Sequence, residues 1–223
     1  MHIDPWSLLQ FFHILLFVYW LGADLGVFLC GTRIVRDDLS LDERLRVREI
    51  AIALDMAPRT ALPLMIPVGF TLAVRYGSPI TGKSLIALWA VTLLWVALVW
   101  MVHLVKDRAL GAAVTRIDYA IRYALILVLG GFSIYCLLLG APIGEAWLSA
   151  KILLFAFIIL NGIWLRRISK NWQPAFDRVR AGGADRAVGE RMIKDNRAII
   201  KVAAISIWIL IGLTGFLGVV KPF

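Results

Sequence analysis

WSLLQFFHILLFVYWLGADLGVFLC, residues 6–30, is an apolar run about as long as a bilayer-spanning helix, yet it holds His13 and Asp24, two residues that hydrocarbon disfavours. The two lie eleven positions apart, about three turns at 3.6 residues per turn, so both fall on one helix face. Phe17 and Trp20 sit close to the line between them, and Gly22 and Gly26 allow another helix to approach. Ionisable residues at membrane depth mark functional sites by default, so this stripe is expected to face the protein interior.

The rest of the chain has the same character. Of 223 residues, 61% are hydrophobic and 17% charged, too apolar for a soluble domain of this length. The net charge of +9 resides in loops between apolar spans, a membrane-topology pattern and not a nucleic-acid surface. The opening MHIDPW lacks the positive region of a cleavable signal, so none is expected. Cys30 and Cys136 fall towards opposite membrane faces, which argues against a disulfide, and neither has a neighbour at metal-ligand spacing.

Six apolar runs, at about 7–30, 50–74, 84–105, 118–140, 147–165 and 199–220, predict an all-α, polytopic six-helix bundle forming a single integral membrane domain over 1–223. The first, third and fifth connections are rich in arginine and lysine, including Arg33, Arg36, Lys106, Arg108 and Arg116. Residues 75–83 and 140–146 are short and nearly free of positive charge. The positive-inside rule therefore places both termini outside, on the periplasmic face, and the basic linker 166–198 in the cytoplasm. The second run contains Pro58, Pro63 and Pro67 and is expected to kink or unwind there. Asn171 to Pro174 should break the fifth helix, Gly182 and Gly183 form a hinge, and a basic amphipathic lead-in from about Ala184 precedes the last span. Runs 84–105 and 118–140 carry fewer unusual residues and read as an inserted hairpin.

Depth along the helices sorts the polar residues into two clusters. His13 and Lys151, with Met65, belong to the outer half; Asp24, Asp55 and Arg59 belong to the inner half, as structural or proton-relay candidates. Asp55 and Arg59 are spaced i,i+4, and Arg59 could pair with either aspartate. Lys151 could instead snorkel to the headgroups. His103 reads as an interfacial histidine and is the alternative ligand. Trp6, Trp147, Trp164 and Trp172 read mostly as an aromatic belt, and Gly212, Gly215 and Gly218 as packing contacts. With three histidines, of which His2 is terminal, a zinc site is poorly supplied. One haem held by His13, with an open sixth position or Met65 there, remains possible. Its second ring nitrogen would need a partner, for which the carbonyls freed at Arg59 and Pro63 are the candidates.

The helix-one pattern with its early histidine resembles the opening of the HemJ-type protoporphyrinogen oxidases. Arg59 followed by prolines, WLSAKILLFAFIILNGIWLRR with Lys151 near its start, and GVVKPF after a basic lead-in with Asn196 match in order. The resemblance covers about half the chain and extends to CopD-like membrane domains. It implies haem b on His13, with Lys151 and Arg59 near the porphyrin or its propionates in catalytic roles. It further implies oxidation of protoporphyrinogen IX, or electron transfer to a quinone-like acceptor, in a bacterial inner membrane. The CopD-like alternative is a non-enzymatic transporter, or a subunit in a homo-oligomer or larger membrane complex. The chain departs from the HemJ pattern in its two extra spans, in Asn161-Gly162 where a late histidine is common, and in Arg197 where an acidic residue is expected.

Overall fold

The computed structural model describes residues 4–105 and 110–223; His2, Lys106 and Arg108 lie outside them. Helix α1 is Pro5–Ile34. The Asp4 carboxylate accepts from the backbone N–H of Ser7 at 3.0 Å and of Trp6 at 3.4 Å, and Pro5 occupies a position that needs no N–H. Helix α2, Leu41–Leu54, starts with a capping box of Ser40 and Glu43.

The second expected span is two helices. Pro58 has no N–H to offer the Leu54 carbonyl and its ring crowds that oxygen, so α2 ends, Asp55 intervenes, and α3 runs Met56–Ala73. The interruption thus lies at Asp55, whereas Pro63 and Pro67 sit inside a continuous α3. Thr71 donates its hydroxyl to the Pro67 carbonyl at 2.6 Å.

Helices α4 (Gly82–Val105), α5 (Gly111–Leu139), α6 (Ala146–Ser169), α7 (Trp172–Ala181) and α8 (Gly183–Val220) follow. With α2–α3 and α6–α7 each counted once, six segments are long and apolar enough to cross a membrane. The all-α, six-span expectation therefore holds, and among the described residues there is no strand. Boundaries shift most at α5, which begins at residue 111 and not 118, and at α8, whose 38 residues join the basic lead-in and the last span into one helix. Gly182 and Gly183, at φ 77° and 55°, make the break before it in backbone conformations that side chains avoid.

Helix neighbours run α1–α3–α4–α5–α6–α8 and back to α1, a closed ring of six. Inside it pack Trp20, Ile66, Phe70, Trp95, Ile158, Ile159 and Ile211. Apolar side chains such as Phe12, Val18, Leu127 and Leu138 stay exposed on the outside, where lipid would meet them.

The basic end carries a small cap of its own. Helices α2 and α7 and the start of α8 enclose Ile34, Trp172, Ala175, Phe176, Val179 and Ile193. Trp172 is thus a core residue of the cap and not part of an aromatic belt. Arg44, fully buried, donates to the Ile34 carbonyl at 2.7 Å and grips Glu190 through two bonds of 2.7 and 2.9 Å. At Gly189 the two helices touch so closely that a Cβ would stand 2.7 Å from the Ala175 carbonyl oxygen.

Candidate functional site

The end of the ring that carries both termini encloses a cavity of about 590 Å³ between α1, α3, α6 and α8. His13, Phe17 and Trp20 of the helix-one stripe all line it, together with Met65 and Lys151. The outer cluster expected from depth is therefore one site. Each wall is shaped by a small residue. His13 Cε1 lies 3.6 Å from where a Cβ on Gly69 would be, Phe17 lies 3.3 Å from a Cβ on Gly215, and Lys151 Nζ only 2.6 Å from one on Gly218. Gly212 lines the cavity with nothing near its missing Cβ. These glycines do more than pack helices; they hold α3 and α8 back from the space.

Two of the polar groups that line the cavity, on His13 and Lys151, lack partners among the described residues. His13 Nδ1 is buried and makes no hydrogen bond, so the partnership with carbonyls at Arg59 or Pro63 is not formed; the ring meets α3 farther along, at Gly69. Lys151 forms no salt bridge among the described residues, and it is directed inward, which sets aside the snorkelling alternative. Two cations absent from the expected set join it. Lys221 sits 4.6 Å from the Tyr76 ring centroid and 5.4 Å from that of Trp147, and Arg75 lies 5.4 Å over Trp6. Trp6 and Trp147 are thus cavity walls, not a lipid-facing belt. Just outside, hydrogen bonds from Ser7 hold the Asp4 carboxyl below its usual range, so it stays ionised within Coulombic reach of Arg75. Among the described residues no Asp or Glu lines the cavity.

A flat, amphipathic molecule with carboxylates on one edge matches this lining. Aromatic and glycine walls would accept its faces, the cations would meet its carboxylates, and the His13 imidazole lines the same space. His13 is the residue of this lining that could hold a metal, Met65 lines the same space, and Lys151 could take a carboxylate. No protein family, curated protein or solved structure is found to match this chain.

The inner cluster is arranged differently from expectation. Arg59 pairs with Asp55, both about 30% exposed, so this is not a deeply buried pair. Neither residue lines the cavity, and Arg59 therefore stands away from any porphyrin held there. Asp24 has a buried, unpartnered carboxylate oxygen within Coulombic reach of Asp55 and is not bonded to Arg59. His103 lies at the opposite end of the bundle, with its ring 6.4 Å from that of Trp100, and does not reach the cavity.

One buried network escaped the sequence. Asp118, with no exposure, accepts from Trp95 Nε1 at 2.8 Å and from Arg122 Nε at 3.0 Å, and it also pairs with Arg166. Drawing α5 from residue 118 placed Asp118 at a span boundary; the helix in fact begins two turns earlier. The i,i+4 spacing of Asp118 and Arg122 was the signal that could have found it. The supposed inserted hairpin thus carries, among the described residues, the most deeply buried ion pair.

Proposed function

We propose that this chain is a multi-pass membrane protein that binds a porphyrin-class ligand in the cavity at its terminus-bearing end. His13 is the residue that would ligate haem b, and Lys151 meets a carboxylate, assisted by Lys221 and Arg75. The observation that carries this is the shared cavity itself: the His13 imidazole and an unpaired lysine line the same aromatic-walled space, with no acid among its described lining residues. When bound, haem would supply one-electron chemistry, which fits the oxidation of protoporphyrinogen IX suggested by the helix-one resemblance. The protein's own groups bind, orient and exclude water. Lys151 and its neighbours neutralise the carboxylates, the tryptophans exclude solvent, and His13 supplies the imidazole. Arg59 is no part of this site.

The distribution of loop cations supports an orientation with the cavity end facing away from the cytoplasm, and the helix-one resemblance suggests a bacterial inner membrane. Reporter fusions after Pro79 and after Arg180 should then score outside and inside respectively. For the ligand, detergent-purified protein titrated with haem or protoporphyrin IX should bind one equivalent with a shifted Soret band. Absence of binding would overturn the proposal, and a colourless protein holding stoichiometric copper would favour the CopD-like alternative.

A further inference from the structure

The walls of the His13 cavity differ in exposure from one side to the other. Ile66 and Phe70 of α3, with Leu148 and Ile152 of α6, are buried although they border the space. Ile14 of α1 and Phe216 and Val219 of α8 border it too, yet they are 53%, 52% and 83% exposed. Exposure to the cavity alone would raise all of these residues alike. The three therefore also face outward, beside the seam where α1 and α8 close the ring. Gln10, one turn before Ile14, is exposed on the same edge of α1. Within the seam the Phe17 ring lies against Gly215, 3.3 Å from where a Cβ would stand.

Towards water the same cavity is roofed. Arg75, in the turn Val74–Tyr76 that follows α3, lies over the Trp6 ring. Tyr76 meets the Trp147 ring edge-on, with centroids 5.1 Å apart, and Lys221 donates to the Tyr76 hydroxyl at 2.5 Å. These contacts tie α1, α6 and the end of α8 to the turn, but none of them ties α1 to α8. The opening is lateral, and in a membrane it faces lipid. We propose that the cavity is loaded sideways from the bilayer: its ligand is a membrane-dissolved amphiphile that passes between α1 and α8, from the leaflet at the terminus-bearing end. Ile14, Phe216 and Val219 make the path continuous with acyl chains. Arg75 and Lys221, both exposed at the rim, hold an anionic edge at headgroup depth until Lys151 takes it. A ligand arriving from water would first have to break the bond between Lys221 and Tyr76. The route rests on reading this cavity as the ligand site, but not on the ligand being a porphyrin.

The test uses the full chain in nanodiscs of phosphatidylcholine, a fraction of which carries a diazirine midway along one acyl chain. After photolysis, mass spectrometry locates the labelled residues. Ile66 and Phe70 are buried, so label on them reports a chain that has entered the cavity. Leu127 and Leu138, exposed on α5, are the internal standard. Wild-type protein should carry label at both places. Ile14→Trp combined with Val219→Trp fills the opening from exposed positions and should cut the α3 label severalfold at unchanged α5 label. Val219→Trp alone keeps the test valid should the pair fail to assemble. Excess protoporphyrin IX should displace the α3 label. If that label responds to the tryptophans but not to protoporphyrin IX, the lateral route stands and the porphyrin reading falls. Absence of label from α3, or label there indifferent to the tryptophans, would overturn the route.

Discussion

The missing side chain of Gly218 makes the room that Lys151 occupies: a Cβ at 218 would stand 2.6 Å from the ammonium nitrogen. Gly218→Ala must therefore displace the tip of a flexible lysine while leaving both helices in place. The expected outcome is about a tenfold loss of affinity for protoporphyrin IX, with little change for its dimethyl ester, which has no carboxylates to meet. Gly22→Ala, where nothing stands within 4 Å of the new methyl, is the control and should bind normally. Equal losses for acid and ester would show that the alanine disturbs the helix packing and not the charge.

Asp118 is the sole carboxylate holding Arg122 and Arg166 in the interior among the described residues. Asp118→Asn keeps the shape and removes the counter-charge, leaving two guanidinium groups buried. The expected cost is about 3–5 kcal/mol, read as a lower thermal midpoint in detergent. Arg122→Met added to Asp118→Asn should restore part of the loss. A single variant with an unchanged midpoint would mean that water already reaches the network.

The cap depends on contact at Gly189, where an added methyl would also come within 2.8 Å of Val179 Cγ2. Backbone on α7 has to give way, so Gly189→Ala should cost about 1–3 kcal/mol, as overpacking does. Hydrogen exchange should rise across residues 172–181 while the six spans remain protected.

Helix one was legible because its polar residues are rare and its period is regular; His13, Phe17 and Trp20 do share the interior face. Lys151 and Met65 were found by depth alone, since depth follows from span order and rise per residue. Asp118 and Arg122 were hidden because a span drawn by hydropathy began at Asp118 itself, where charges read as boundary residues and not as part of a helix already two turns long. Pairings were harder still. Arg59 could reach either aspartate by sequence, and the structure pairs it with Asp55, its i,i+4 neighbour. Arg75 and Lys221 were missed because both follow the ends of spans, where cations ordinarily face headgroups. The fold returns them to the cavity through the Trp6, Tyr76 and Trp147 rings. No sequence period encodes that meeting of distant chain ends.

The central claim is that His13 holds the ligand, and the absorbance spectrum of haem-loaded variants tests it most directly. Wild-type protein and His103→Ala should show the same Soret band. His13→Ala should insert and purify normally but lose that band, while Lys151→Met retains it with weaker affinity. A normal Soret band in His13→Ala together with its loss in His103→Ala would contradict the account and move the site to the opposite end of the bundle.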